Sequence, residues 1–152
     1  MTNVAHTPLH PLGFKDLQLV EIYDFFVAPF AGSNRRQPLA TNLTLYIQQL
    51  AAILTPNNVR FEVWIDGSFC TDKMEPNDVD VLVSCSGADL NGLPVAAQQN
   101  LSVLVNNNFT KTNFNIDAYF CPSDDVNNRS YWRGWFLFDR NENPKGVARI
   151  NL

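Results

Sequence analysis

Trp64-Ile65-Asp66-Gly67-Ser68-Phe69-Cys70-Thr71-Asp72-Lys73-Met74-Glu75-Pro76-Asn77-Asp78-Val79-Asp80-Val81-Leu82-Val83 is the stretch that decides the fold. An apolar run ends at Gly67-Ser68, and after a nine-residue gap a second apolar run opens on alternate aspartates, Asp78 and Asp80. Residues i and i+2 of a strand share a face, so the two carboxylates are expected to converge. A tight glycine turn beside paired carboxylates has the chemistry of a metal-bound triphosphate site.

Working outward, β-branched and aromatic residues over 59–66 predict a strand that turns at Gly67. The apolar run over 79–85 predicts a strand buried on both faces. Upstream, Leu39, Leu43, Tyr46, Ile47, Leu50 and Leu54 recur at helical spacing behind Pro38, predicting a helix over 37–54. A shorter helix is expected over 16–27, stopped by Pro29 and Gly32, with the first dozen residues an irregular arm.

Downstream, 86–94 reads as a polar loop, 95–106 as a helix broken by Asn106-Asn107-Asn108, and 112–120 as a strand. In that strand Phe114, Ile116, Ala118 and Phe120 share one face and Asp117 lies on the other. After a polar loop over 122–129, the aromatic stretch 131–138 reads as a strand turning at 139–144 into a last strand, 146–152. The expected fold is α/β (α+β): one domain over 1–152 with a core at about 59–120. Its mixed sheet is flanked by helices, with an N-terminal helical extension and a C-terminal β-hairpin.

With 152 residues, 45% of them hydrophobic, one domain can bury a sufficient core without disulfides. A net charge of -4 and a pI near 5.0 argue against a broad basic surface laid along DNA or RNA. Cys70, Cys85 and Cys121 are odd in number and lack zinc-site spacing, so they read as reduced packing residues of a cytoplasmic protein. No apolar run is long enough to span a membrane, and the first residues lack the pattern of a secretory signal.

Two Mg²⁺ or Mn²⁺ ions about 3.5–4 Å apart can clamp the attacking and leaving oxygens of a phosphoryl displacement. Asp78 and Asp80 supply two ligands. Asp117 is the best candidate for the third, being the acidic side chain of the next strand. A nucleoside triphosphate needs such metals before it can approach an acidic site. Gly67 would let the backbone close on the phosphates, and Ser68 would turn its hydroxyl and N–H groups towards them.

Gly-Ser, Asp-x-Asp after about ten residues and a third carboxylate on a later strand together resemble the nucleotidyltransferase superfamily typified by DNA polymerase β. More narrowly, residues 66–73 and 76–80, with Tyr131-Trp132-Arg133-Gly134 and Lys145-Gly146, resemble a group of short bacterial and phage nucleotidyltransferase-like proteins. The general resemblance covers about 59–120 and implies a minimal nucleotidyltransferase fold. It implies transfer of a nucleoside monophosphate from an NTP to a hydroxyl of a protein or RNA acceptor, in a toxin–antitoxin or phage-defence setting. Asp78, Asp80 and Asp117 would be catalytic and metal-binding. Gly67, Ser68 and Lys73 would meet the phosphates.

Lys73 either neutralises a phosphate or is simply solvated. Arg35-Arg36 reads as a surface or structural pair in preference to a substrate-binding one. Tyr131-Trp132-Arg133-Gly134-Trp135-Phe136 reads as packing in preference to a base-stacking platform, and Lys145 as a solvated turn lysine. The chain is too short for the added helical domain that usually holds the base. A second copy or a cognate protein partner would then complete recognition. The competing reading is a catalytically silent member of the fold acting as a protein-binding module.

Overall fold

The computed structural model describes residues 6–10, 12–139 and 141–152. In chain order its elements are β1 (Gly13–Leu17), α1 (Ile22–Phe26), α2 (Arg36–Leu54), β2 (Phe61–Asp66), β3 (Val79–Cys85), α3 (Gly87–Asn91), α4 (Val95–Leu104), α5 (Asn107–Phe114), β4 (Ile116–Pro122), α6 (Val126–Phe136) and β5 (Gly146–Asn151). The strands form one mixed sheet in the order β1-β5-β2-β3-β4. The pairs β1/β5 and β3/β4 are parallel, and β5/β2 and β2/β3 are antiparallel. The fold is α/β, as the sequence predicts.

Alternation along the strands sorts the side chains into two cores. Val63, Ile65, Val81, Val83, Ile116 and Ala118 pack against Leu43, Tyr46, Ile47 and Leu50 of α2, together with residues of α4 and α5. Trp64, Leu82, Cys121 and Val147 point to the opposite face, where Phe136 of α6 closes over them. The strand β3 therefore buries both faces, which is why its sequence is almost unbrokenly apolar.

Several expectations are corrected. Residues 131–136 form the second half of α6 instead of a strand, and 126–129 of the expected loop form its first turn, so the C-terminal hairpin is replaced by a helix and a turn closed by a single Phe138–Pro144 bridge. Asp125 caps the helix by accepting a hydrogen bond from Asn128 N at 3.1 Å. The four-residue spacing of Trp132 and Phe136 puts both on the sheet-facing side. The last strand, β5, inserts between β1 and β2.

Asn106 likewise starts a helix as well as ending one: it caps α5 by accepting from Phe109 N at 3.2 Å. Asn115, left-handed at φ 56°, stops α5, so β4 begins only at Ile116. The polar stretch 86–94 contains α3. The helix expected over 16–27 contracts to α1, because 13–17 is drawn into the sheet, where Asp16 accepts from Arg149 Nε at 2.7 Å. The N-terminal arm is described from His6, and Leu9 N donates to Cys70 O at 3.1 Å. Residues 1–5 and Pro11 of that arm, and Arg140 of the turn at 139–144, lie outside the described residues.

Candidate active site

Strand register assembles the site. Asp66 pairs with Asp80 across β2 and β3, and Asp80 pairs with Asp117 across β3 and β4. Directly opposed residues point to the same side of a sheet with neighbouring Cβ atoms. Three carboxylates thus stand in a row at one end of the face that α6 covers. Asp78 lies two residues before Asp80, immediately ahead of β3, and is part-exposed.

Gly67 is required by this row. Its φ of 78° and ψ of -167° belong to a region open essentially only to glycine. A Cβ there would stand 2.7 Å from Asp80 Oδ2 and 3.0 Å from Asp80 Cγ. The backbone turns hard against the central carboxylate because no side chain intervenes. Ser68 opens the single 3₁₀ turn that follows, with Thr71 Oγ1 donating to Ser68 O at 2.7 Å.

The loop between Gly67 and Asp78 is held from behind by two arginines. Arg36, fully buried, donates from Nη1 to Phe26 O and Phe69 O at 2.9 Å each, and from Nη2 to Thr71 O and Lys73 O at 2.6 Å each. Its guanidinium lies 3.6 Å from the centre of the Phe30 ring. Arg35 donates to Pro76 O and Asn77 O, both at 2.9 Å. Every residue from 69 to 77 is thereby tied to the start of α2 or lies beside one that is. Of the surface or structural role expected for this pair, Arg36 takes the structural one, and both arginines shape the segment that presents Asp78.

Lys145 belongs to the site, contrary to its reading as a solvated turn lysine. Its Nζ lies 2.7 Å from Asp66 Oδ2, and the side chain is mostly covered. Asp117 accepts from Asn107 Nδ2 and lies 3.8 Å from Lys111 Nζ. Burial, reinforced by Asp78, Asp117 and Asp66 and opposed by Lys145, pushes the Asp80 carboxyl up to about 7. Burial alone outweighs Lys145 at Asp66, which is pushed up to about 6. The Tyr119 phenol is raised above its ordinary range by burial, then by Asp117 and Asp80.

Asp66 and Asp80 of this row form one end of a cleft of about 960 Å³. Its other wall is α6 and the turn after it, with Tyr131, Trp132, Trp135 and Phe138 beside Tyr119 and Lys145. Four carboxylates against two ammonium groups leave excess negative charge, and a set of hard oxygen donors fits Mg²⁺ or Mn²⁺. Among the described residues, no three acidic, histidine or cysteine side chains are already gathered around one ion-sized point. Asp78, Asp80 and Asp117 are the residues that would hold the ions.

A family model matches residues 2–151, nearly the whole chain. The chain belongs to the DUF6932 family. That family is described as one of unknown function. None of the curated proteins and none of the solved structures compared with the chain matches it.

In this DUF6932 protein, the residues singled out from sequence fall in different places. Asp78, Asp80, Asp117, Gly67 and Ser68 are at or beside the row. Lys73 contributes its main-chain oxygen to Arg36 and is absent from the residues lining the cleft. Asp66 and Lys145 are site residues to which the sequence reading gives no role at the site. For Asp66 a signal exists: alternation from Trp64 places it on the site face, since both lie on one side of β2. Lys145 has no such signal, because its partner is 79 residues away.

Proposed function

We propose that this DUF6932 protein is a metal-dependent nucleotidyltransferase that moves a nucleoside monophosphate from an NTP to a hydroxyl of a protein or RNA acceptor. The observation that carries the reading is the row Asp66, Asp80 and Asp117, with Gly67 pressed against its central member. A phosphate-binding turn and a carboxylate set are thereby fused into one surface.

Two Mg²⁺ or Mn²⁺ ions bound here would supply charge neutralisation of the triphosphate and activation of the acceptor hydroxyl. Asp78, Asp80 and Asp117 would act as their ligands. Asp117, fixed by Asn107 and Lys111, orients the acceptor hydroxyl and takes up its proton as the oxygen bonds to the α-phosphorus. The bond from that phosphorus to the bridging oxygen breaks, and pyrophosphate leaves. The Gly67-Ser68 turn offers its hydroxyl and N–H groups to the phosphates, and Lys145 is placed at the edge of the same cleft to share their charge.

The buried, unpaired Cys70, Cys85 and Cys121 suit a reducing cytoplasm, and no helix among the described residues is long and apolar enough to cross a membrane. A toxin–antitoxin or phage-defence role would follow from modification of a protein or RNA acceptor. The test is incubation with α-labelled NTPs, Mg²⁺ or Mn²⁺ and a cell lysate. Label transfer that disappears in Asp80→Asn is expected. Absence of transfer, with nucleotide binding unchanged in that variant, would replace this reading by a silent protein-binding module.

A further inference from the structure

The outer face of α6 carries two large aromatic side chains that the fold does not use. Trp132 and Phe136, four residues apart, are spent on packing: Trp132 lies 5.1 Å from the Tyr119 ring and Phe136 is buried against Trp64. Tyr131 and Trp135, also four apart, turn the other way. They are 56% and 62% exposed and touch chiefly their own neighbours, with ring centres 6.3 Å apart. Both nevertheless line the cleft whose far end is Asp66 and Asp80.

The cleft is therefore divided by chemistry. One end is a carboxylate row suited to metal-bound phosphates. The other presents flat π surfaces with an indole and a phenol at their rims. An occupant matching both ends has a polyanion at one end and a planar ring at the other, and the cleft volume of about 960 Å³ lies within the range that holds small ligands. A flat protein partner would not match the concavity.

We infer that Trp135 and Tyr131 form the nucleobase subsite of this protein, stacking the base of the NTP whose triphosphate is directed at Asp80. Resting on the nucleotidyltransferase reading, this subsite puts the base on the same cleft as the phosphates. Stacking accepts every base, because each has a π face, and favours the larger purines.

The test compares Mg²⁺-loaded α,β-methylene ATP with Mg²⁺-loaded inorganic tripolyphosphate by calorimetric titration of the full chain. The base is expected to tighten binding about 5- to 150-fold over tripolyphosphate. Trp135→Ala should remove most of that advantage while leaving tripolyphosphate affinity and the melting temperature unchanged, and Trp135→Phe should keep much of it. If tripolyphosphate binds but the nucleotide binds no tighter, or if Trp135→Ala leaves the difference intact, the subsite is refuted and the phosphate site stands. If neither ligand binds, the phosphate site and the subsite fall together.

Discussion

Replacing Gly67 by alanine tests whether the turn and the carboxylate row are one construction. Two costs add. The backbone at φ 78° and ψ -167° is strained for any L residue, by about 1–3 kcal/mol. The new methyl would also sit 2.7 Å from Asp80 Oδ2, 3.0 Å from Cγ and 3.4 Å from Cβ. Asp80 is held in a strand paired on both sides, so relief must come from rotating its side chain, at about 0.5–1.5 kcal/mol. Together the variant should lose about 2–4 kcal/mol, a fall in Tm of roughly 5–15 °C for a chain of this size.

The same rotation moves a proposed metal ligand, so Mn²⁺ affinity measured by electron paramagnetic resonance should drop alongside the thermal melt. Gly134→Ala is the matched control. It lies inside α6 with nothing within 4 Å of the methyl that alanine would add, and should raise stability by about 0.5–1 kcal/mol. A Gly67→Ala protein that melts with the parent and binds Mn²⁺ equally well would refute the coupling between turn and row.

Three further outcomes follow from charge. Arg36→Met should destabilise by about 3–5 kcal/mol in urea titration, since the carbonyls of Phe26, Phe69, Thr71 and Lys73 lose a buried charged donor; a loss under 1 kcal/mol would contradict the loop-pinning role. Asp80 and Asp66 titrate near 7 and 6 in the folded chain against an ordinary aspartate value of 3.8. The folded state therefore binds more protons than the unfolded one in this window. Metal-free stability should accordingly fall as pH rises from about 4 to 7, and the penalty should be complete above 7. Asp80→Asn should stabilise the metal-free protein at pH 8 by about 1–3 kcal/mol, allowing for partial exposure, with little change at pH 4. Equal stability of parent and variant at pH 8 would show that the row carries no such strain.

The helix α2 and strands β2 and β3 are legible in the sequence because their signals are local and agree. Apolar spacing gives one buried stripe along α2, and the Gly67 turn and the Asp-x-Asp opening bracket the two strands. The misread segments are those where composition and spacing disagree. Aromatic enrichment at 131–138 suggests a strand, whereas the four-residue pairs Tyr131/Trp135 and Trp132/Phe136 carry the helical period. At 16–27 an approximate helical spacing is outweighed by pairing with β5. Asn106 reads as a breaker, although an asparagine side chain caps the next helix as readily as it ends the last.

By itself the sequence determined the carboxylates, the glycine that must lie beside them and the α/β character of the domain, since these depend on residue type and short-range periodicity. Tertiary structure alone decided that β5 enters beside β2 and so delivers Lys145 to Asp66, and that α6 sets Trp135 and Tyr131 along the acidic cleft. Those placements depend on which strands pair across long separations. No local pattern encodes such pairing, because it is chosen by how all the apolar faces can be buried at once.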